Sequence, residues 1–263
     1  RTRLIMAVPI HKTGLWKTLG QKSSAIYSTN LIGNFVPSQG ITSVSWTNQA
    51  AVNSLRRYNG ITYNSSSPQN FQFDGTDDYL GEASSGYGGN PFTIPFKDAY
   101  TIGQLVFVPN TWASLKQHFI FELKDSSINH ITGEIFSSSL RLRSRTGSGN
   151  FDPASFTPNY NFILGKNKWI YITISHNGSG VYTAYLNGKF VGQANCQYAP
   201  SGGPNVALKV GRYNDSYSSA GVKVGHIHVY SSELTTSQVR QNFLASYSIN
   251  DTRLYGDVTM YTE

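Results

Sequence analysis

At 263 residues, with 39% hydrophobic and only 13% charged side chains and with 17 Tyr and 14 Phe, the chain can bury one large core and is too apolar and aromatic for intrinsic disorder. The apolar stretch near the start, Leu-Ile-Met-Ala-Val-Pro-Ile, falls far short of a membrane-spanning length, and the single cysteine, Cys196, excludes an internal disulfide and reads as a buried bystander thiol. The net charge of +7 is uneven, because Arg1, Arg3, Lys12, Lys17, Lys22, Arg56 and Arg57 precede Asp74 with no acid among them, yet these cations are too sparse for the basic stripe of a nucleic-acid binder.

Residues 1–30 mix short apolar pieces with polar connectors and show neither helical periodicity nor a hairpin. They are expected to form an extended basic arm, with Arg1, Arg3, Lys12, Trp16, Lys17 and Lys22 as subunit contacts. The chain opens on Arg1 and not on Met, so a signal, a processed segment or more protein is expected before it. From Ile41 onward, short β-forming runs alternate with Gly, Asn, Asp and Pro. "QNFQFDG" turns Phe71 and Phe73 to one side, and "YTIGQLVFVP" reads as a strand ending before Pro109. "QHFIFEL", "GEIFSSSLRLRSR", "KWIYITISHNG", "NVALKVGRYN" and "GVKVGHIHVYSS" continue the series. In "YTAYLNGKFVG", Asn187-Gly188 predicts a two-residue type I′ hairpin, since both positions tolerate positive φ. One helix is expected, in "SSELTTSQVRQNFLASY", with Leu234, Val239, Phe243 and Leu244 as its apolar stripe and Thr235 or Thr236 as its cap. After Tyr247 the tail is expected to form a last strand or to lie against a neighbouring subunit. So many hairpins without intervening helices imply antiparallel sheets packed face to face, between the arm 1–30 and a tail 248–263.

The motifs "FQFDGTDDYLG", "WIYITISHNGSGVYTAYLNGKFVGQ", "LKVGRYND" and "GHIHVYSSELTTSQVRQNFLA" resemble, in order and spacing, those of laminin G-like, concanavalin A-like domains. The resemblance covers roughly residues 31–247 and implies an all-β, two-sheet antiparallel jelly-roll sandwich with one short C-terminal helix. It also implies a calcium ion at the sheet rim, for which Asp74, Asp77 and Asp78 offer hard oxygen ligands and Asp215 a fourth from another loop. The same acids suit Asx turns that cap backbone amides, so the cofactor is either none or calcium. Related sandwiches include retaining glucanases with a Glu-x-Asp-x-x-Glu strand. This chain lacks that pattern, and its nearest pair, Glu122 and Asp125, has no third acid. His226 and His228 share one face of a strand without metal-ligand spacing to supporting residues, and no serine sits in a nucleophile elbow. The chain is therefore expected to be no enzyme.

Tyr-rich loops at 81–91, 110–117 and 212–221 have a composition suited to recognition, with Tyr87, Trp112, Tyr213, Asn214 and Tyr217 as candidate glycan contacts. Trp169 opens a strand and is expected in the core. The sequons at Asn64, Asn177, Asn214 and Asn250 identify no compartment. The resemblance extends to viral and bacteriophage structural proteins, and the leading expectation is a non-enzymatic virion component, a capsid-decorating, spike or tail-fibre part that contacts copies of itself or other virion proteins. The alternative is a secreted or cell-surface carbohydrate-binding module whose partners are glycans.

Overall fold

A computed structural model describes residues 25–43, 45–50, 54–66, 69–82, 98–108, 117–124, 130–136, 139–145, 151–156, 168–196, 207–213 and 217–250. Most of the expected arm and the tail beyond Asn250 lie outside these residues.

Two eight-stranded antiparallel sheets form the body. Strands are numbered in chain order. The first sheet contains β1 (Leu31–Phe35), β4 (Thr62–Asn64), β5 (Asn70–Asp74), β7 (Ala99–Val108), β12 (Lys168–Asn177), β13 (Val181–Leu186), β14 (Lys189–Asn195) and β18 (Ala220–Tyr230). Their order is β14-β13-β12-β7-β18-β5-β4, and β1 also pairs with β18. The second sheet contains β2 (Ser45–Thr47), β3 (Ser54–Tyr58), β6 (Tyr79–Glu82), β8 (Gln117–Lys124), β9 (His130–Phe136), β10 (Ser139–Arg145), β11 (Phe151–Ser155) and β15 (Ala207–Val210), in the order β11-β10-β9-β8-β15-β6-β3-β2. A small hairpin, β16 (Arg212–Tyr213) and β17 (Tyr217–Ser218), leads back to β18.

Period-two alternation decides what is buried. Phe71 and Phe73 of β5 enter the core while Gln72 between them is exposed. In β10, Leu140 and Leu142 face inward and Arg141 and Arg143 face away from the first sheet. The core between the sheets joins Phe35, Trp46, Phe71, Ile102, Phe121 and Ile174, among others. Trp46 is fully buried and donates from Nε1 to the Val36 carbonyl (3.0 Å), so its one polar atom is satisfied inside. At Gly211, φ is +88° and a Cβ would run into the Phe73 ring, so the bend after β15 needs glycine. Asn187 and Gly188 both have positive φ (50° and 76°), as the expected type I′ turn requires. That turn is tied to its neighbour: the Asn187 amide donates to the Tyr171 carbonyl and Asn187 Oδ1 accepts from the Tyr171 amide.

β18 carries a register shift between Val224 and Ile227. The shift keeps Val222, Val224, Ile227 and Val229 in the inter-sheet core and turns His228 and Tyr230 to the opposite face. That face is covered by α1 (Thr236–Asn250), which ends three residues beyond the expected limit at Tyr247, so residues 248–250 are helical and form no strand. The cap is the expected one. Thr235 Oγ1 accepts from the Gln238 amide (3.4 Å) and Gln238 Oε1 from the Thr235 amide (2.8 Å), a reciprocal capping box. Phe243 packs with Leu105, Trp169 and Tyr171, while Leu234 and Val239 pack with Tyr185 and Tyr230. Trp169 is thus buried as expected, though beneath the helix and not between the sheets.

Residues 25–30 dock on the same helix. The Tyr27 amide donates to Asn242 Oδ1 (2.9 Å), Tyr230 Oη to the Tyr27 carbonyl (2.8 Å) and Gln241 Nε2 to the Ala25 carbonyl (2.7 Å), with the Tyr27 and Tyr230 rings stacked at 6.2 Å.

Candidate functional site

The turn from β5 to β6 gathers the expected acids. One carboxylate oxygen from each of Asp74, Asp77 and Asp78 lies within 4.8 Å of the others. Local hydrogen bonds shape the turn: Asp74 Oδ1 accepts from the Thr76 amide (2.7 Å), an Asx turn, and Asp78 Oδ2 accepts from the Asp74 amide (3.0 Å). Asp74 and Asp77 are exposed, whereas Asp78 is buried and its Oδ1 has no hydrogen-bond partner. Burial holds the Asp78 carboxyl above the usual carboxylate range, aided by the charges of Asp74 and Asp77 and opposed by the Asp74 amide. A divalent cation would relieve each of these costs at once. Three carboxylates supply about half of the six to eight oxygens that calcium takes. Asp215, the expected fourth acid, lies outside the described residues.

The glucanase candidates form no pair. Glu122 is fully buried on β8, 3.9 Å from Lys209 Nζ, and Asp125 lies outside the described residues. Its neighbour on the same face, Glu134, is also fully buried and accepts from the Nε atoms of Arg141 and Arg143 through one oxygen. Carboxylates so enclosed and charge-compensated are placed for structure and not for acid–base work.

The histidines are likewise built in. His118 bridges the sheets, with Nε2 2.9 Å from Gln104 Oε1 and Nδ1 2.8 Å from Ser219 Oγ. Gln104 Nε2 donates to the Ile120 carbonyl (3.3 Å), which turns Oε1 toward His118, so Nε2 carries the proton and Ser219 donates to Nδ1. A serine hydroxyl on a histidine suggests a nucleophile, but all three residues are fully buried and the Phe119 amide donates to Ser219 Oγ (3.1 Å). No local pattern signals this contact, because Gln104 and His118 lie 14 positions apart and His118 and Ser219 lie 101 apart. His228 accepts or shares a proton with Tyr171 Oη (2.7 Å) beneath α1, and His226 is buried 5.9 Å away, ring to ring, as their shared face predicts.

Of the candidate glycan contacts, Tyr213 and Tyr217 are register partners in the β16–β17 hairpin. Tyr87, Trp112 and Asn214 lie outside the described residues, as do the arm residues Arg1, Arg3, Lys12, Trp16, Lys17 and Lys22. Among the described residues no helix is long and apolar enough to cross a membrane.

A family model, the concanavalin A-like lectin/glucanases superfamily (Laminin_G_3), matches residues 97–240. No curated protein matches the chain. Among solved structures the chain is similar to a receptor-binding domain at a TM-score of 0.64 and 13% identity, covering 83% of this chain and 51% of that one. It is similar to the binding domain of botulinum neurotoxin DC in complex with SialylT (TM-score 0.62, 16% identity, 83% and 52% covered). The same domain in complex with rat synaptotagmin II gives a TM-score of 0.63 at 15% identity, with 84% and 52% covered. The chain spans about half the length of each, and identities this low show a shared fold. These neighbours correct the expectation of a virion, capsid or bacteriophage part: the fold is that of toxin binding domains, and a sparse basic run with one cysteine specifies no particle.

Proposed function

The chain belongs to the concanavalin A-like lectin/glucanases superfamily, and from that premise we propose that it is a non-enzymatic recognition module acting outside the cell or at its surface, with glycans as its partners. The observation that carries this reading is the likeness of the sandwich to binding domains whose complexes contain SialylT or rat synaptotagmin II, together with the buried, ion-paired state of Glu122, the nearest candidate for glycoside hydrolysis. The rim loops 81–91, 110–117 and 212–221 carry the aromatic contacts in this reading, with Tyr87, Trp112, Tyr213, Asn214 and Tyr217 as the residues to change first. The cation at Asp74, Asp77 and Asp78 is calcium, supplied with further oxygens by water or by Asp215. The arm 1–30, anchored on α1 at residues 25–30, serves contacts with other copies through Arg1, Arg3, Lys12, Trp16, Lys17 and Lys22, and the tail 248–263 continues from the last turn of that helix.

A glycan array probed with the full chain, with calcium and then with a chelator, tests the module. Selective binding to one class of glycan is the expected result, and a signal no better than that of a denatured sample removes the proposal. Calcium is expected to raise the melting temperature of the native chain and not that of Asp78→Asn, and its binding weakens as pH falls because the raised Asp78 carboxyl must release its proton.

A further inference from the structure

We propose that the outer face of the second sheet binds an acidic glycan, whose sulfate or carboxylate groups are held by Arg56, Lys209 and Arg212 around the Tyr58–Tyr79 pair. This inference rests on the reading of the chain as a glycan-recognition module. Register aligns one row across six strands: Arg56 on β3 lies opposite Gly81 on β6, Gly81 opposite Lys209 on β15, Lys209 opposite Glu122 on β8, Glu122 opposite Thr132 on β9, and Thr132 opposite Arg143 on β10. The row holds three cations and one carboxylate. Arg141 and Arg143 are paired with Glu134, so the cations beside the Tyr58–Tyr79 pair are Arg56, Lys209 and Arg212, the last of which also donates to the Asp77 carbonyl (3.4 Å). The row is closed at β8 and β9, where Glu122, Thr132 and Glu134 are fully buried, and opens at its β3 end, where Arg56 is exposed, so an acidic group meets it at Arg56, Lys209 and Arg212.

The tyrosines define which polyanion. Tyr58 and Tyr79 are register partners whose rings stack at 4.3 Å and 4°. Each covers one face of the other. Arg56 lies over Tyr58 at 5.6 Å, and Arg212 and Lys209 lie over Tyr79 at 5.0 and 5.6 Å. With their faces taken by each other and by cations, the rings offer no platform for a nucleobase or for the apolar face of a neutral sugar. They hold the cations in place and present hydroxyls at their edges. Fixed guanidinium forks beside phenol hydroxyls suit the combination of oxyanion and hydroxyl found on sulfated and carboxylated sugars.

The test is titration of the full chain with dextran sulfate, with neutral dextran, a single-stranded oligonucleotide and poly-glutamate as parallel probes, alongside the glycan array. Dextran sulfate is expected to bind in a salt-dependent way and more tightly than the other three, with Arg56→Gln weakening it about fivefold and Arg56→Gln/Arg212→Gln about tenfold or more. Lys189→Gln, which removes a cation from the hairpin of the first sheet, is expected to bind as the native chain does. Should the double variant fail to fold, Arg56→Gln carries the test, since its side chain is exposed. Equal binding by Arg56→Gln overturns the site, and equal binding of the oligonucleotide or poly-glutamate overturns its specificity for sugars. If the array shows neutral glycans bound while dextran sulfate is ignored, this inference fails and the recognition module stands. If no glycan of either kind binds, both fall.

Discussion

His118 shows how much rests on single atoms in this sandwich. Its two ring nitrogens join Gln104 of the first sheet to Ser219 beside the second, at 2.9 and 2.8 Å, and all three side chains are fully buried. His118→Leu would keep the volume and strand two polar partners in the core, where each unsatisfied group costs about 1–3 kcal/mol. A loss of about 3 kcal/mol is expected, read as a lower urea midpoint at unchanged slope. Ser219→Ala should cost a comparable amount, because it leaves the buried His118 Nδ1 without its donor and takes away the oxygen that accepts from the Phe119 amide. None of this was legible beforehand, since only strand pairing brings the residues together. The acidic turn was legible, because Asp74, Asp77 and Asp78 fall within five residues and turn chemistry is local. The burial of Asp78, which separates it from its exposed neighbours, was not.

At the scale of elements, the parts that could be read from sequence are those specified by short-range rules. Asn187-Gly188 demands its turn, Phe71 and Phe73 declare their face by alternation, and Thr235 or Thr236 marks the start of α1, where the cap proves to be Thr235. The end of α1 and the row of cations on the second sheet depend on packing and on pairs far apart in sequence, so the local pattern was silent about both. Thr235→Ala is expected to cost about 1 kcal/mol by removing the cap. Because Trp169 packs with Phe243 of α1, its fluorescence should report that loosening before the far-ultraviolet signal of the sheets changes.

For the whole molecule, buried histidines set the acid limit. Burial lowers His118 to about 3, lowers His228 well below its usual value with a smaller contribution from His226, and lowers His176 against the opposing Asp98 carbonyl. The folded state therefore refuses protons that the unfolded chain accepts below about pH 6.5, so stability is full above that value and falls as pH drops toward 3. Each histidine still neutral in the fold adds a slope approaching about 1.4 kcal/mol per pH unit. Asp78 works in the opposite sense, its raised carboxyl favouring the fold slightly as it protonates. Urea midpoints measured between pH 7.5 and 4.5 are expected to fall steadily, and a flat profile would remove the histidines as the cause.

The docking of residues 25–30 on α1 has a mechanical meaning. Ala25 and Tyr27 are hydrogen-bonded to Gln241, Asn242 and Tyr230, so the first and last described elements are fastened at one clamp. Tension applied between residue 25 and α1 meets that clamp first and bypasses the strands between, which hang from it as a closed loop. Force would have to unfasten a few hydrogen bonds before it could begin to peel β1 from β18.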